Sequence, residues 1–461
     1  MTAFARARSL PMWQALAVPN FRLLWASEAV SVVGDQFHYI ALAWLVISLT
    51  GSGLALGVVL IAVAVPRAIL IVPFGVMADR RPARGLMVAA HVARGVIVGV
   101  IAALAVTGSA SVPALAVLGA LFGAADALYM PAQQAFLPRT VEAERLPSAN
   151  ALLQGTLQMA AMAGPPLAGI VIAIAGTGTA FALDAVSFFV AALVILLMGP
   201  APARMEEPAA GVQAPVGTTP ASVSSAPASA GPSFRAELRA GIRYVAADPA
   251  IRTLLLLALV LNFALNGPAG VGMAWLAQER FDSGPLGLGL MEAALAAGAL
   301  VGILLAGNVR PERQGRVVVG AVAAAGVMMA AVGTLGSMPG VVAALAVMGV
   351  SIGYVNIVAV SWLQGRVQPA MVGRVMSIVM LMGFGISPLS LGLSGALIDL
   401  DATALFVGAG VLTVVAALFA VAVRLPAMLD ERPAADRSQA GLAHVAPDLP
   451  AERQAGPAGT Q

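Results

Sequence analysis

Residues 53–84 read GLALGVVLIAVAVPRAILIVPFGVMADRRPAR. From 53 to 78 the stretch carries one charge, Arg67, and it then breaks into Asp79, Arg80, Arg81 and Arg84. About 20 apolar residues are enough for a helix to cross the hydrocarbon core of a bilayer. A basic cluster directly after such a run marks the side of the membrane that it faces. A second apolar run begins at about 86, so the basic loop is a tight turn between two antiparallel crossings.

Working outward, the same pattern recurs along the chain. Apolar runs lie at 22–49, 53–78, 86–107, 112–135, 149–175, 178–199, 252–277, 285–307, 316–336, 339–362, 374–398 and 402–424. Tight turns such as Thr50–Gly53 and Gly176–Gly178 separate several of them. With residue 1 placed in the cytoplasm, 22 of the 25 basic residues, every one an arginine, fall in cytoplasmic segments. Arg280 alone falls in an outer loop, and Arg67 and Arg94 lie inside runs. An odd number of crossings in either half would scramble this asymmetry. The expected fold is therefore an all-α membrane protein with twelve transmembrane helices in two six-helix bundles.

Composition agrees with lipid as solvent. Of 461 residues, 60% are hydrophobic and 10% charged, with mean hydropathy +0.92. Soluble domains carry about 25% charge. With no cysteine, disulfides, thiolate metal sites and cysteine nucleophiles are excluded. The three histidines, His38, His91 and His444, have no metal-ligand spacing, so neither a metal nor a cofactor is expected. The basic balance serves topology, and no nucleic-acid partner is expected. No Ser/His or His-cluster constellation suggests an enzyme. There is no GxxxxGK[ST] loop for ATP.

The segments between the bundles follow from composition. Residues 1–20 read as a cytoplasmic tail, with no apolar core for a cleavable signal peptide. Bundles are expected over 21–199 and 251–425. Between them, 200–250 is an Ala/Pro/Ser/Gly-rich cytoplasmic linker. It ends in a short amphipathic helix, with Phe234, Leu238, Ile242 and Val245 on one face, lying at the membrane surface. Residues 426–461 read as a disordered cytoplasmic tail.

Charges within a bilayer cost about 2.5–3.5 kcal/mol each on insertion scales, so each calls for a reason. In the first run, Glu28 and Asp35 are seven residues apart and within about 20° of one face, and His38 shares that face. A carboxylate there can bind a cation or take up a proton, with Asp35 the leading candidate. A structural pair of Asp35 with Arg67 or Arg94 is the alternative. Asp126, in the fourth run, has Arg67 and Arg94 as plausible partners, as an ion pair or a coupling site. Glu292 and Asp184 would be satisfied on a water-lined cavity wall. His91 reads as a helix-end anchor. Asn262 and Asn266, one turn apart before Gly267–Pro268, either line a substrate path or bond between helices.

Several stretches resemble the major facilitator superfamily, within it the macrolide-efflux and enterobactin-exporter-like branch. They are Asn20–Trp25 with Ser31–Asp35; Gly75, Asp79, Arg80 and Arg84 of a GxxxDRxxRR loop; Pro131–Pro138; Ala149–Leu152; Ser361–Gln364; and Gly373–Ser377. The resemblance covers about 20–425. It implies two parallel six-helix halves, and a latch in which Asp79 faces the start of the eleventh helix near Gly373 and Arg374. Gly164, Pro165 and Gly169 partly copy an antiporter motif whose upstream glycine is here Ala160. The fourth helix has Asp126 where many proton-coupled antiporters carry an arginine. The function expected is a proton-coupled secondary transporter exporting an amphipathic small molecule, such as a drug, macrolide or siderophore-like compound. It would act as a monomer in a bacterial cytoplasmic membrane, with both termini cytoplasmic. The alternatives are a facilitator-fold importer of a polar solute and a non-transporting scaffold or sensor.

Overall fold

The computed structural model describes residues 15–199, 234–309, 311 and 313–430. Among these the regular structure is helical, and eleven helices are long and apolar enough to cross a membrane. In order they are α1 (Pro19–Thr50), α2 (Gly53–Arg80), α3 (Ala83–Val106), α4 (Val112–Phe136) and α5 (Leu146–Leu196). After a 14-residue helix α6 (Phe234–Ala247) come α7 (Pro249–Arg280), α8 (Gly284–Asn308), α9 (Gln314–Thr334), α10 (Met338–Arg366), α11 (Pro369–Ile398) and α12 (Ala402–Ala422). A short α13 (Leu425–Asp430) follows.

The 51 residues of α5 would extend about 77 Å as one rod, more than twice a bilayer core of about 30 Å. The rod is broken at Gly176, whose φ of 81° and ψ of 167° are non-helical. A positive φ is open to glycine at little cost. Both ends of α5 then reach the same end of α1. Trp25 donates to Thr156 Oγ1 at 2.9 Å, while Asn20 exchanges hydrogen bonds with the backbone of Gly199. The chain therefore reverses at Gly176, and each of the two segments of α5 is long enough to span a bilayer core.

The segments flanking the crossings differ in what the structure says of them. Residues 200–233, the composition-based linker, lie outside the described residues, as do 1–14 and 431–461. Helix α6 packs on α11 and α7. The Tyr244 hydroxyl accepts from the Gln368 N–H at 3.2 Å. The side chains of 234–238, half of the predicted amphipathic face, are not among those described.

Two arginines close helix ends. Arg84 donates to the carbonyls of Ile195 and Leu196 at the end of α5. Arg280, the outlier of the arginine pattern, donates to the Gly333 carbonyl near the end of α9 at 2.6 Å. Both satisfy carbonyls that have no partner within their helix, at the negative end of its dipole. Arg280 is thus held by a helix terminus rather than by topology.

The two halves meet at the end opposite the basic loops. An added Cβ at Gly169 would stand 2.6 Å from the Pro285 carbonyl oxygen, and one at Gly289 2.4 Å from that of Pro165, so α5 and α8 approach backbone to backbone. Between α2 and α11, Asp399 accepts from Ser52 Oγ at 2.7 Å, Gly53 N at 2.6 Å and Leu54 N at 3.1 Å. At the basic end, no described atom lies within 4 Å of where a Cβ would stand on Gly75 of α2 or Gly373 of α11. Ile69, Val76 and Leu381 are exposed there. Among the described residues, the halves touch towards one end and part towards the other.

Candidate functional site

Charged and aromatic side chains of α1, α2, α3, α4 and the second half of α5 converge inside the first bundle. The centre is Arg94 of α3, 2% exposed. Its Nη1 is 3.1 Å from Asp126 Oδ1 of α4, and Nη2 is 3.0 Å from His91 Nδ1 one turn before it. The guanidinium lies 4.7 Å from the Tyr129 ring centroid and 4.5 Å from that of Phe188. Such stacking is worth more when the cation is desolvated. The second oxygen of Asp126 is taken by Arg67 Nε of α2 at 3.1 Å, so Asp126 has a guanidinium on each oxygen.

Asp35 stands apart from this closed pair. Its Oδ1 is 3.9 Å from Arg94 Nη1, and its side chain is 37% exposed, against 18% for Asp126. As the seventeenth of 32 residues in α1, it lies about 24 Å from either end. Glu28 accepts a hydrogen bond from the Tyr129 hydroxyl. Of the three carboxylates here, Asp35 and Asp126 both reach Arg94, Asp126 also reaches Arg67, and Glu28 is held by the Tyr129 hydroxyl.

His38 is not part of that group, although it follows Asp35 by three residues. The 60° between them turns it into the bundle, where it is 6% exposed. Its ring stacks on Phe122 at 4.3 Å, and Nδ1 is 3.4 Å from Asp184 Oδ2. Asp184 is 0% exposed and its carboxylate also accepts from Ser187 Oγ. It is therefore an interior partner of His38 and not a residue of a water-lined wall. His91 likewise differs from the sequence expectation. It is fully buried against Tyr129 and Arg94, because the sharp turn at Pro82 starts α3 early and puts residue 91 two turns in.

In the second bundle, Glu292 of α8 is half-buried and has no hydrogen-bond or ion-pair partner among the described residues. Asn266 Nδ2 donates to Asn262 Oδ1 at 3.3 Å, and Asn262 Nδ2 donates to the Ala258 carbonyl of its own helix. The partner that crosses between helices here is Ser390 of α11. Its hydroxyl donates to the Phe263 carbonyl at 2.5 Å and accepts from the Gly267 N–H at 2.7 Å. These two backbone groups would bond to each other in an unbroken α-helix. The hydroxyl engages both groups just before Pro268, and two π turns follow, Pro268–Gly272 and Leu276–Arg280. Sequence reasoning passed over Ser390, since a serine inside an apolar helix gives no sign of which neighbour it enters.

Of the latch residues, the Asp79 side chain lies outside those described. Arg80 is exposed, Arg84 is committed to the end of α5, and Arg374 of α11 contacts the Met371 sulfur at 3.5 Å. Of the antiporter-like residues, Gly164 lets α5 close on Gln36 of α1, and Pro165 and Gly169 face α8. Tyr129 was missed in sequence. It follows Asp126 by three residues and so shares its face, which is a readable signal.

The sequence profile of the Major Facilitator Superfamily matches residues 24–390. The chain belongs to this superfamily. Among its relatives, an uncharacterized MFS-type transporter, YvqJ of Bacillus subtilis (strain 168), is 24% identical over 298 residues. That alignment spans 64% of this chain and 66% of the relative, just under two thirds of the relative's length. Macrolide efflux protein A of Streptococcus pyogenes is 21% identical over 367 residues, 78% of this chain and 84% of that protein. Among solved structures, the nucleoside transporter NupG superposes with a TM-score of 0.65 at 12% identity, over 88% of this chain and 99% of that one. A bacterial homolog of the human lysosomal transporter Spinster, in an inward-facing conformation, gives 0.59 at 14% identity, over 89% and 96%. At such identities these structures speak for the fold alone. This facilitator protein is a multi-pass membrane transporter, and its two bundles pack closely at the end opposite the basic loops.

Proposed function

We propose that the protein is a proton-coupled exporter of amphipathic small molecules, and that Asp35 is its coupling carboxylate. The supporting observation is the charge arrangement around Arg94. Both oxygens of Asp126 are occupied by guanidiniums at 3.1 Å, whereas Asp35 is held loosely at 3.9 Å and is the more exposed of the two. With three carboxylates to two guanidiniums, one carboxylate has no dedicated counter-charge, and a proton or a cationic substrate supplies it. Asp35 is the group that both can reach. When Asp35 is neutralised, Arg94 is released to Asp126 alone, and the tether between α1 and α3 is lost. Neutralised and ionised forms thereby favour different packings of α1.

The parted end carries the arginine-rich loops, which assigns it to the cytoplasm under the positive-inside rule. Both termini and the 200–250 linker then lie inside, the bundles are 21–199 and 251–425, and the protein works as a monomer in a bacterial cytoplasmic membrane. Asp79, with Gly75, Arg80 and Arg84, would close on Arg374 of α11 when the transporter turns outward.

The test uses inverted vesicles supplied from outside with a fluorescent amphipathic cation, which an exporter accumulates in the lumen. Asp35→Asn should abolish uphill transport while keeping measurable substrate binding, and Asp35→Glu should keep part of the activity with a displaced pH optimum. Uphill transport by Asp35→Asn that remains sensitive to an uncoupler would move the coupling role to another carboxylate.

A further inference from the structure

We propose that the groove between α9, α12 and α13 at the basic end binds the headgroup of an anionic phospholipid. The groove encloses about 700 Å³. It is lined by Arg313, Arg316 and Arg424 near the helix ends and by the apolar Val319, Leu418 and Val421 along α9 and α12. The three arginines are exposed and have no side-chain hydrogen-bond or ion-pair partner among the described residues. One acid lines the groove, Asp430, and its Oδ1 accepts from the Gly315 N–H at 2.7 Å, so it caps the start of α9. Among the described residues the groove thus presents three cations against one committed carboxylate.

The chain is shaped to hold this cluster. Arg424 has φ 59°, a left-handed conformation uncommon for a residue with a side chain. It turns the chain sharply from α12 into α13. Pro426 then packs so closely on α9 that a Cβ on Gly315 would stand 2.1 Å from its carbonyl oxygen. The turn delivers Arg424 beside Arg313 and Arg316. Below them, Leu418 is 62% and Val421 52% exposed on the outer face of α12. A cationic mouth at the end of an outward apolar stripe suits a ligand with an anionic phosphodiester and an acyl chain. Arginine forks pair two-pronged with phosphate oxygens, and basic groups at this depth attract anionic lipid.

The experiment measures binding of a labelled phosphatidylglycerol and of phosphatidylcholine to the purified full-length protein in detergent. At about fivefold per arginine near an anionic surface, the triple variant Arg313→Gln, Arg316→Gln, Arg424→Asn should weaken phosphatidylglycerol binding on the order of a hundredfold. Binding of phosphatidylcholine should not change. Asparagine is chosen at 424 because it tolerates the left-handed backbone. A triple lysine variant should stay within a few-fold of the parent. If the triple variant does not fold, the three single variants are read instead, each expected at about fivefold. Three results overturn the proposal. The first is undiminished phosphatidylglycerol binding by the glutamine/asparagine variants. The second is full displacement by millimolar inorganic phosphate, which would make this a free-anion site. The third is a large gain in lipid binding on removing residues 431–461, which would make the chain's own tail the occupant.

Discussion

Asp399 occupies an end where a carboxylate is normally unwelcome. It caps the C-terminus of α11, where the helix dipole disfavours negative charge. What holds it is the other bundle, through Ser52 Oγ and the N–H groups of Gly53 and Leu54 at the start of α2. These contacts exist only while the two halves are together at this end. A hydrogen bond to a charged acceptor is worth about 1.5–3 kcal/mol when buried. Asp399 is exposed, so water competes for all three, and we assign the set about 2 kcal/mol in total after that discount. Asp399→Ala should then move the equilibrium towards the state open at this end by roughly thirtyfold. The chain has no cysteine, so a spin-label pair at Ser109→Cys and Gly336→Cys, on outer loops of opposite halves, needs no background mutations. Double electron–electron resonance should show a short-distance population in the parent and a long-distance one in Asp399→Ala. Identical distance distributions would refute the reasoning, because the contact would then carry no share of the conformational equilibrium.

Arg94→Met should destabilise the protein by about 3–5 kcal/mol, since it leaves buried partners without their charge. Arg67→Met, at a site 33% exposed, should cost clearly less. Thermal unfolding in detergent ranks the two, and equal melting temperatures would argue against Arg94 as the centre. At Asp248, partial burial raises the carboxyl, but Arg366 and the N–H groups of Ile251 and Ala250 outweigh it and hold the group below the usual carboxylate range. A group lowered on folding stabilises above its unfolded value of about 3.9 and loses that contribution as the pH falls below it. Stability at pH 7 should therefore drop in Arg366→Gln, and the difference from the parent should shrink towards pH 3. A constant difference across that range would exclude the linkage. Asp79→Asn should reduce transport while insertion and expression stay near normal. Unchanged transport would reduce the Gly75–Arg84 loop to an orientation signal.

The path of the chain through the membrane was legible because lipid imposes a simple rule on every crossing. Apolar runs must be long enough, and arginines must stay on one side. Even the one disagreement, the single helix over Leu146–Leu196, falls at the Gly176 turn where the sequence divides two runs. The grouping of Arg67, Arg94 and Asp126 was also readable, because charges within apolar runs are few and must find each other. What sequence could not supply is azimuth. Glu28, Asp35 and His38 share one face on an ideal helical wheel. In the bundle they meet Tyr129, Arg94 and Asp184 respectively, on three different elements. Asp399 falls between the apolar runs 374–398 and 402–424, and its partners are more than 340 positions away in the chain.

The hydroxyl of Ser390 sits between the Phe263 carbonyl and the Gly267 N–H, and this makes two helices share one joint. If α11 withdraws that hydroxyl, the Phe263 carbonyl and the Gly267 N–H of α7 are left to bond to each other. Once withdrawn, Ser390 is a buried polar group in need of another acceptor. Straightening of α7 and sliding of α11 are then the same event seen from two sides. A displacement of either helix at this point must disturb the hydrogen bonds of the other, with no chain of intermediate residues between them.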